Sequence, residues 1–254
     1  MLGALALVRP EYLAISLPIA VVVFARRRDN WRAGLVQALV MLAGLAVVVM
    51  PWTIRNDVVL GRFVPISTGG GQVLFAGSYM PSGGDPERVG AEVLERHPEL
   101  HAQLPPDPRL EQILVALAAQ RYPGMESNAA LARMGRERLW EDIGERPLDY
   151  AGFVAAKIGR IWSHGPRDVM RKPVWEALHW LLVALGLLGL GVLAWQRRWE
   201  ALLLGVVLLA VTATGALLVA SPRRVLVTIP VVAALAGVAT TWVVRTCTGR
   251  RTST

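Results

Sequence analysis

The sequence predicts a mainly α, polytopic transmembrane helical protein with a mostly helical extracytoplasmic domain, on three observations. Of its 254 residues 54% are hydrophobic and only 18% charged, a balance outside that of soluble domains. Apolar runs that reach or approach the roughly 20 residues of a bilayer-crossing helix lie at Trp31 to Met50, Val174 to Trp195, Ala201 to Ala220 and Val225 to Val244, with a shorter fifth at Tyr12 to Phe24. Arginines crowd the short connections between them, while a long polar stretch separates the second run from the third.

The predicted organisation is therefore residues 1–50 as a partial first helix and two spans, 51–173 as an extracytoplasmic domain, 174–244 as three spans, and 245–254 as a cytoplasmic tail. Met1 to Val8 is apolar but lacks the basic start and small-residue cleavage site of a signal peptide. Arg9-Pro10-Glu11 separates it from the apolar run at Tyr12 to Phe24, so it reads as the tail of an earlier helix. Arg26, Arg27, Arg28 and Arg32 come after the first span, Arg197 and Arg198 after the third, and Arg245, Arg250 and Arg251 after the last. The positive-inside rule places all of them in the cytoplasm. Alternation then puts 51–173 outside, together with the Ser221-Pro222-Arg223-Arg224 turn.

Within the outer stretch, alternation around Phe63, Val64 and Ile66 predicts a short strand, and Gly69-Gly70-Gly71 requires a tight turn or a close backbone approach. Helical patterns run at Pro86 to His97, Pro108 to Arg121, Ser127 to Ile143 and Pro147 to Trp162. Asp85-Pro86 and Asp107-Pro108 suggest an acidic N-cap with proline at the first helical position. Leu131, Met134, Leu139 and Ile143 form an apolar stripe on the third helix, and Phe153, Ile158, Ile161 and Trp162 mark the fourth as it nears the membrane.

Charge bookkeeping excludes one class of function. Residues 51–173 carry 15 Lys and Arg against 15 Asp and Glu, so the whole net charge of +8 belongs to the remainder. The basic excess orients membrane loops and makes no patch on a soluble module, which argues against nucleic acid as a partner and for membrane lipids. Cys247 stands alone, so no internal disulfide can form. His97 and His101 have an i, i+4 spacing, but Pro98 interrupts the helix and no third ligand is evident, so no metal site is assigned. His164 and His179 stand singly and read as packed or interfacial. Glu141, Asp142 and Glu145 read as a solvated, self-paired helix face. No catalytic triad order or nucleophile elbow is present, and the residues name no cofactor.

Three features carry candidate chemistry. Tyr12 to Ala25 spans only about 21 Å at 1.5 Å per residue, short of a core of about 30 Å, so Arg9 and Glu11 sit below the outer surface. They form either a snorkelling pair at a helix start or the wall of a polar pocket. Arg223 and Arg224 break the positive-inside pattern in a turn that stays near the bilayer. Paired guanidinium groups there suit bidentate binding of a phosphate or contact with ordinary headgroups. Gly69 to Gly71 offers backbone amides for an anion, yet lacks the Gly-Lys-Ser/Thr of a P-loop and reads better as a simple turn.

In linear order, Leu7-Val8-Arg9-Pro10-Glu11, then Pro51-Trp52-Thr53-Ile54-Arg55-Asn56 leading to Gly61-Arg62-Phe63-Val64-Pro65-Ile66-Ser67-Thr68-Gly69-Gly70, then Ser221-Pro222-Arg223-Arg224, the chain resembles the C-terminal half of the GT-C superfamily of membrane glycosyltransferases. The bacterial branch similar to protein mannosyltransferases and aminoarabinose transferases is the nearest in pattern. Pro222 before two adjacent arginines departs from the Arg-Tyr-Arg-like pattern of that family, and Gln72 stands where an asparagine or aromatic is frequent. The resemblance implies transfer of a sugar from a polyprenyl-phosphate carrier to an acceptor outside the cytoplasm. It also implies Arg223 and Arg224 on the donor phosphate, with Arg9, Glu11, Arg55, Gly69 and Gly70 lining the pocket. The family's catalytic base is an acidic residue of the first outer loop. No residue here matches that motif, and the chain is expected to need an N-terminal partner half, as a truncated gene model, split enzyme or remnant would. The competing expectation is a non-enzymatic membrane protein, a transporter subunit or an assembly factor with an outer interaction domain.

Overall fold

The computed structural model describes residues 2–83, 85–163, 172–220 and 222–249, with backbone alone at Arg28 and 222–224. Its regular elements are all helical: α1 (Leu2–Val8), α2 (Glu11–Ala25), α3 (Trp31–Leu60), α4 (Gly70–Ser78), α5 (Val89–Arg96), α6 (Leu110–Arg121), α7 (Ser127–Glu145), α8 (Pro147–Ser163), α9 (Pro173–Trp195), α10 (Trp199–Leu217) and α11 (Ile229–Cys247), with short 3-10 segments between them. The chain divides into two compact units, one of residues 1–66, 163–212 and 223–254, the other of residues 67–162 and 213–222.

Among the described residues, four helical segments are long and apolar enough to cross a membrane: Trp31–Leu60, Pro173–Trp195, Trp199–Leu217 and Val225–Cys247. Their walls agree with that reading. Val36, Leu39, Val40, Val47, Leu181, Leu187, Leu202 and Leu209 are each more than half exposed. In water each would forfeit about 1.5–3 kcal/mol relative to burial, a total comparable with the whole stability of a typical domain. Hydrocarbon removes the penalty. The chain is thus a multi-pass membrane protein. Tryptophans mark the span ends: Trp31 to Trp52 on α3 and Trp175 to Trp195 on α9 measure about 31 and 30 Å along the helix axis, the thickness of the hydrocarbon core.

Helix α3 runs past Met50, where the sequence suggested its end, through Pro51 to Leu60. Pro51 removes one backbone donor, a loss that membrane helices tolerate. The Asn30 side chain caps its start by accepting from Ala33 N (3.1 Å). Gly61, at φ 63°, ends it with its N–H on Asp57 O. A left-handed position of this kind favours glycine.

Glycines set the closest helix approaches. A Cβ on Gly34 would fall 2.7 Å from Phe24 O, so α2 runs back along α3, and Gly3 meets Val48 and Leu45. Helix α1 therefore does not extend α2 along its axis but folds back onto α3 at the Arg9-Pro10 elbow. Gly186 and Gly189 face Val232 and Leu235 where α9 and α11 pack, the small-residue contact that membrane helices use.

The basic loops gather at one end of this unit. Arg26, at the end of α2, stacks 4.0 Å from the Trp199 ring at the start of α10, and Arg198 and Arg245 line one cleft.

The second unit is a helical domain. Phe75, Tyr79, Val89, Val93, Leu100, Ile113, Leu114, Leu117, Ala130 and Leu131 form its core. Helices α4 and α7 cross closely because Gly71 lies against Asn128 and Gly135 against Leu74 and Phe75. The end of α10 belongs here too: Leu218 backbone sits against Gly77, and Val219 packs on the core. Lys157, 1% exposed, donates to Gly77 O (2.6 Å), so α8 grips the same spot.

Several sequence expectations are corrected. No strand forms around Phe63 to Ile66 among the described residues; the backbone there finds its donors on α3 side chains. Helix α5 starts at Val89, and Asp85 instead accepts from Glu87 N (3.1 Å) in a local turn. Helix α6 starts at Leu110 with Arg109 as its N-cap, past Pro108. On α7 the inward face is Ala130, Leu131, Gly135 and Asp142, while Ile143 is exposed. Asp142 is not solvated. It is 3% exposed and held by Arg146 at 2.6 Å. His164 lies outside the described residues.

Candidate functional site

Polar side chains gather where α1, α2 and the end of α3 meet. The elbow exists because Pro10 cannot continue α1, and Glu11 opens α2 where a carboxylate favours the positive helix end. Arg9 Nη1 lies 3.5 Å from Glu11 Oε1, with the two side chains 30% and 19% exposed. The pair is thus half-buried and sits on an apolar floor. Leu2, Ala6, Leu7, Tyr12 and Leu13 of the elbow share one cluster with Leu45 and Val49 of α3 and with Ile66.

Ile66 reaches that floor because α3 holds the returning chain by side-chain hydrogen bonds. Trp52 Nε1 donates to Ile66 O (3.0 Å). The Thr53 hydroxyl donates to Pro65 O (2.7 Å) with Val49 O as a second acceptor at 3.2 Å. Asn56, 4% exposed, donates through Nδ2 to Val64 O (3.2 Å) and Ile66 O (3.1 Å). Positions 52, 53 and 56 share one helix face, so one surface of α3 satisfies three successive carbonyls that have no sheet partner.

Arg55 stands beside this clamp. Its Nη1 donates to Asn56 Oδ1 (3.2 Å) and its guanidinium lies 5.0 Å from the Trp52 ring. These contacts fix its direction and leave the remaining donors at the surface. The clamp itself was not singled out from sequence; the signal was a Trp, a Thr and an Asn at i, i+1 and i+4 just past a helix proline.

The other predicted site residues are placed differently. Gly69 and Gly70 belong to the second unit, where Gly69 is the N-cap of α4 and both face open space. The close approach falls at Gly71, whose N–H is taken by Asn128 Oδ1 (2.8 Å). Arg223 and Arg224 lie in a 3-10 segment, Pro222–Thr228, and their side chains lie outside the described residues.

A cavity of about 450 Å3 opens in the helical domain among His97, Glu99, Gln120, Glu137, Arg138 and Glu141. Several of its polar groups are already paired. Glu99 accepts from Gln120 (3.0 Å) and meets His97 Nδ1 (3.2 Å); its own backbone amide, then Gln120, hold it below the usual carboxylate range. Tyr122 donates to Glu137 (2.6 Å) and Arg133 adds a bond at 2.8 Å, lowering that carboxyl in the same way. Tyr79 is raised by burial. Among the described residues no group of three His, Cys, Asp or Glu could hold a metal ion.

The arrangement defines a class, a multi-pass helical membrane protein with a helical domain and a charged elbow at one end of its spans. Compared with protein-family models, with curated proteins and with solved structures, the chain matches none.

Proposed function

We propose that the chain is the C-terminal portion of a polyprenyl-phosphate-sugar-dependent glycosyltransferase acting on the extracytoplasmic face of the cell membrane, inactive without the N-terminal half that carries the catalytic acidic loop. The observation that carries this reading is the half-buried Arg9–Glu11 pair. Helix α2 has 15 residues, about 22 Å, so with the Arg26 end at one interface the pair lies below the opposite one in a core of about 30 Å. Ionisable groups at that depth line cavities or pair with each other, and the pair lies just beneath the headgroup level at which a lipid-linked phosphate would sit.

In the proposed step an acceptor hydroxyl oxygen attacks the sugar's anomeric carbon, and the bond from that carbon to the phosphate oxygen breaks. The electron pair stays on the leaving phosphate. Arg223 and Arg224 offset the charge that develops there, while Arg9, Glu11 and Arg55 line the pocket. The acceptor proton needs a base, a role assigned to no residue of this chain. A water-poor pocket beside the spans strengthens each of these electrostatic contacts.

Binding of a fluorescent polyprenyl-phosphate sugar to the full chain in lipid nanodiscs tests the reading. Hydrogen bonds to charged groups contribute about 1.5–3 kcal/mol, so a folded Arg223→Gln/Arg224→Gln double variant should bind about 10- to 150-fold more weakly. Unchanged affinity would remove the phosphate role. The competing reading, a non-enzymatic membrane protein with an interaction domain, is favoured by Trp140 and Leu148, which are 69% and 86% exposed on the helical domain. Capture of a protein partner lost in Trp140→Ala, with no lipid-phosphate binding, would select it.

A further inference from the structure

At the arginine-bearing end of the first unit, α9 and α11 part around a cleft of about 480 Å3, on the scale of small-molecule sites at roughly 300–1,000 Å3. Nearer the middle of the spans the same helices pack tightly through Gly186 and Gly189. The parting has its origin in the sequence. Ala234, Gly237, Thr241 and Arg245 recur at helical spacing along one face of α11. The two small residues recess that wall, and a Cβ on Gly237 would meet nothing within 4 Å. Val192 and Leu193 of α9, each 8% exposed, make the opposite side apolar. The mouth is polar, with Gln196, Arg198, Trp242 and Arg245.

We infer that this cleft binds an anionic phospholipid, with its phosphate on Arg245 and an acyl chain along the recess at Gly237. Charge supports the choice of ligand. Arg198 is shared with Glu200 at 3.2 and 3.4 Å, which leaves Arg245 as the principal cation facing the mouth. Both helices end here, and their carbonyl ends repel an anion; a phosphate therefore binds only through the guanidinium groups. Trp242, 44% exposed, sits at the headgroup level where amphipathic rings collect. Basic pockets between membrane helices bind anionic headgroups for these reasons. The inference does not rest on the glycosyltransferase reading.

The alternative role for Arg245 is neutralisation of the helix end alone, which predicts no choice between lipids. Native mass spectrometry of the full chain in non-ionic detergent separates the two, with phosphatidylglycerol, phosphatidylcholine and inorganic phosphate as probes. At about a kcal/mol per basic residue, Arg245 should retain phosphatidylglycerol about five-fold better than phosphatidylcholine. Arg245→Gln should abolish that preference. Gly237→Leu, which fills the recess without touching a charge, should lower retention of phosphatidylglycerol in a protein with unchanged helicity. Equal retention of the two lipids by the native chain overturns the inference. So does a preference that survives in folded Arg245→Gln, or undiminished retention of phosphatidylglycerol by folded Gly237→Leu, and displacement of the lipid by millimolar inorganic phosphate assigns a free-anion site instead. Should one variant fail to fold, the lipid comparison on the native chain and the other variant still decide.

Discussion

Replacing Asn56 by alanine should loosen the end of α3 more than any exposed change nearby, and its bonds set the size of the effect. Asn56 Nδ2 serves Val64 O and Ile66 O, and Oδ1 accepts from Arg55. In the variant Ile66 O keeps Trp52 Nε1, whereas Val64 O loses the Asn56 donor in a place where that side chain is 4% exposed. A net hydrogen bond contributes about 1 kcal/mol and a buried group left unsatisfied costs about 1–3 kcal/mol. Together these give a loss of about 2–4 kcal/mol, a large part of the roughly 5–15 kcal/mol typical of a folded domain. Arg55 is exposed and simply re-solvates. Asn56→Asp should be worse at neutral pH, because it sets a charged acceptor against two carbonyls. Denaturant unfolding of the detergent-solubilised chain measures the loss, and hydrogen exchange over Gly61 to Ile66 localises it. An Asn56→Ala change within about 0.5 kcal/mol of the native chain, the range of ordinary surface substitutions, with unaltered exchange in that segment, would refute the clamp.

The membrane helices allow an internally controlled test. Gly189→Val drives side-chain atoms into Leu235 backbone and should cost about 1–3 kcal/mol or more by overpacking, whereas Gly191→Val, at a position open within 4 Å, should be nearly neutral; equal effects in thermal unfolding would contradict the α9–α11 packing. The Tyr122–Glu137–Arg133 contact sets a pH window. The Glu137 carboxyl is lowered by its hydrogen bonds, so its contribution is full above the ordinary carboxylate range and fades as pH falls through the lowered value; the Tyr122 phenol is raised, so its contribution fades only as pH rises past the ordinary phenol range. The contribution of this contact should therefore be flat between those limits, and Glu137→Gln should remove the acid limb attributable to it in a pH-resolved melt.

Legibility in the sequence tracked the length over which a pattern repeats. The starts of the long apolar spans and the helices α5 to α8 of the second unit were readable to within a few positions, because many residues vote for one period, whereas α3 runs ten residues past Met50 and the short α4 was not read as a helix. Val174 to Trp195 against Pro173–Trp195 shows the precision. Short features failed for a physical reason in each case. Phe63, Val64 and Ile66 alternate as a strand does, yet the carbonyls of this segment are satisfied by Trp52, Thr53 and Asn56 from a helix a dozen positions away in sequence. Asp142 and Arg146 have the spacing of a solvent-exposed pair. The burial of Asp142 depends on elements docked around it, Tyr150 among its neighbours. Of the candidate site, Arg9 and Glu11 do pair, as their spacing allowed, and Arg55 is turned onto Trp52 and Asn56; Gly69 and Gly70 proved to open a helix in the other unit.

An extracytoplasmic helical domain and a cytoplasmic C-terminus are what the proposed chemistry most requires, and the single cysteine makes this sidedness measurable. Cys247 is exposed at the end of α11, beside Arg245. A membrane-impermeant maleimide applied to intact cells should leave Cys247 unlabelled until the membrane is permeabilised. In a Cys247→Ser background, a cysteine placed at exposed Met125 of the helical domain should label at once without permeabilisation. Labelling of Cys247 in intact cells, or protection of the Met125→Cys site, would contradict the proposed sidedness and with it the site of sugar transfer.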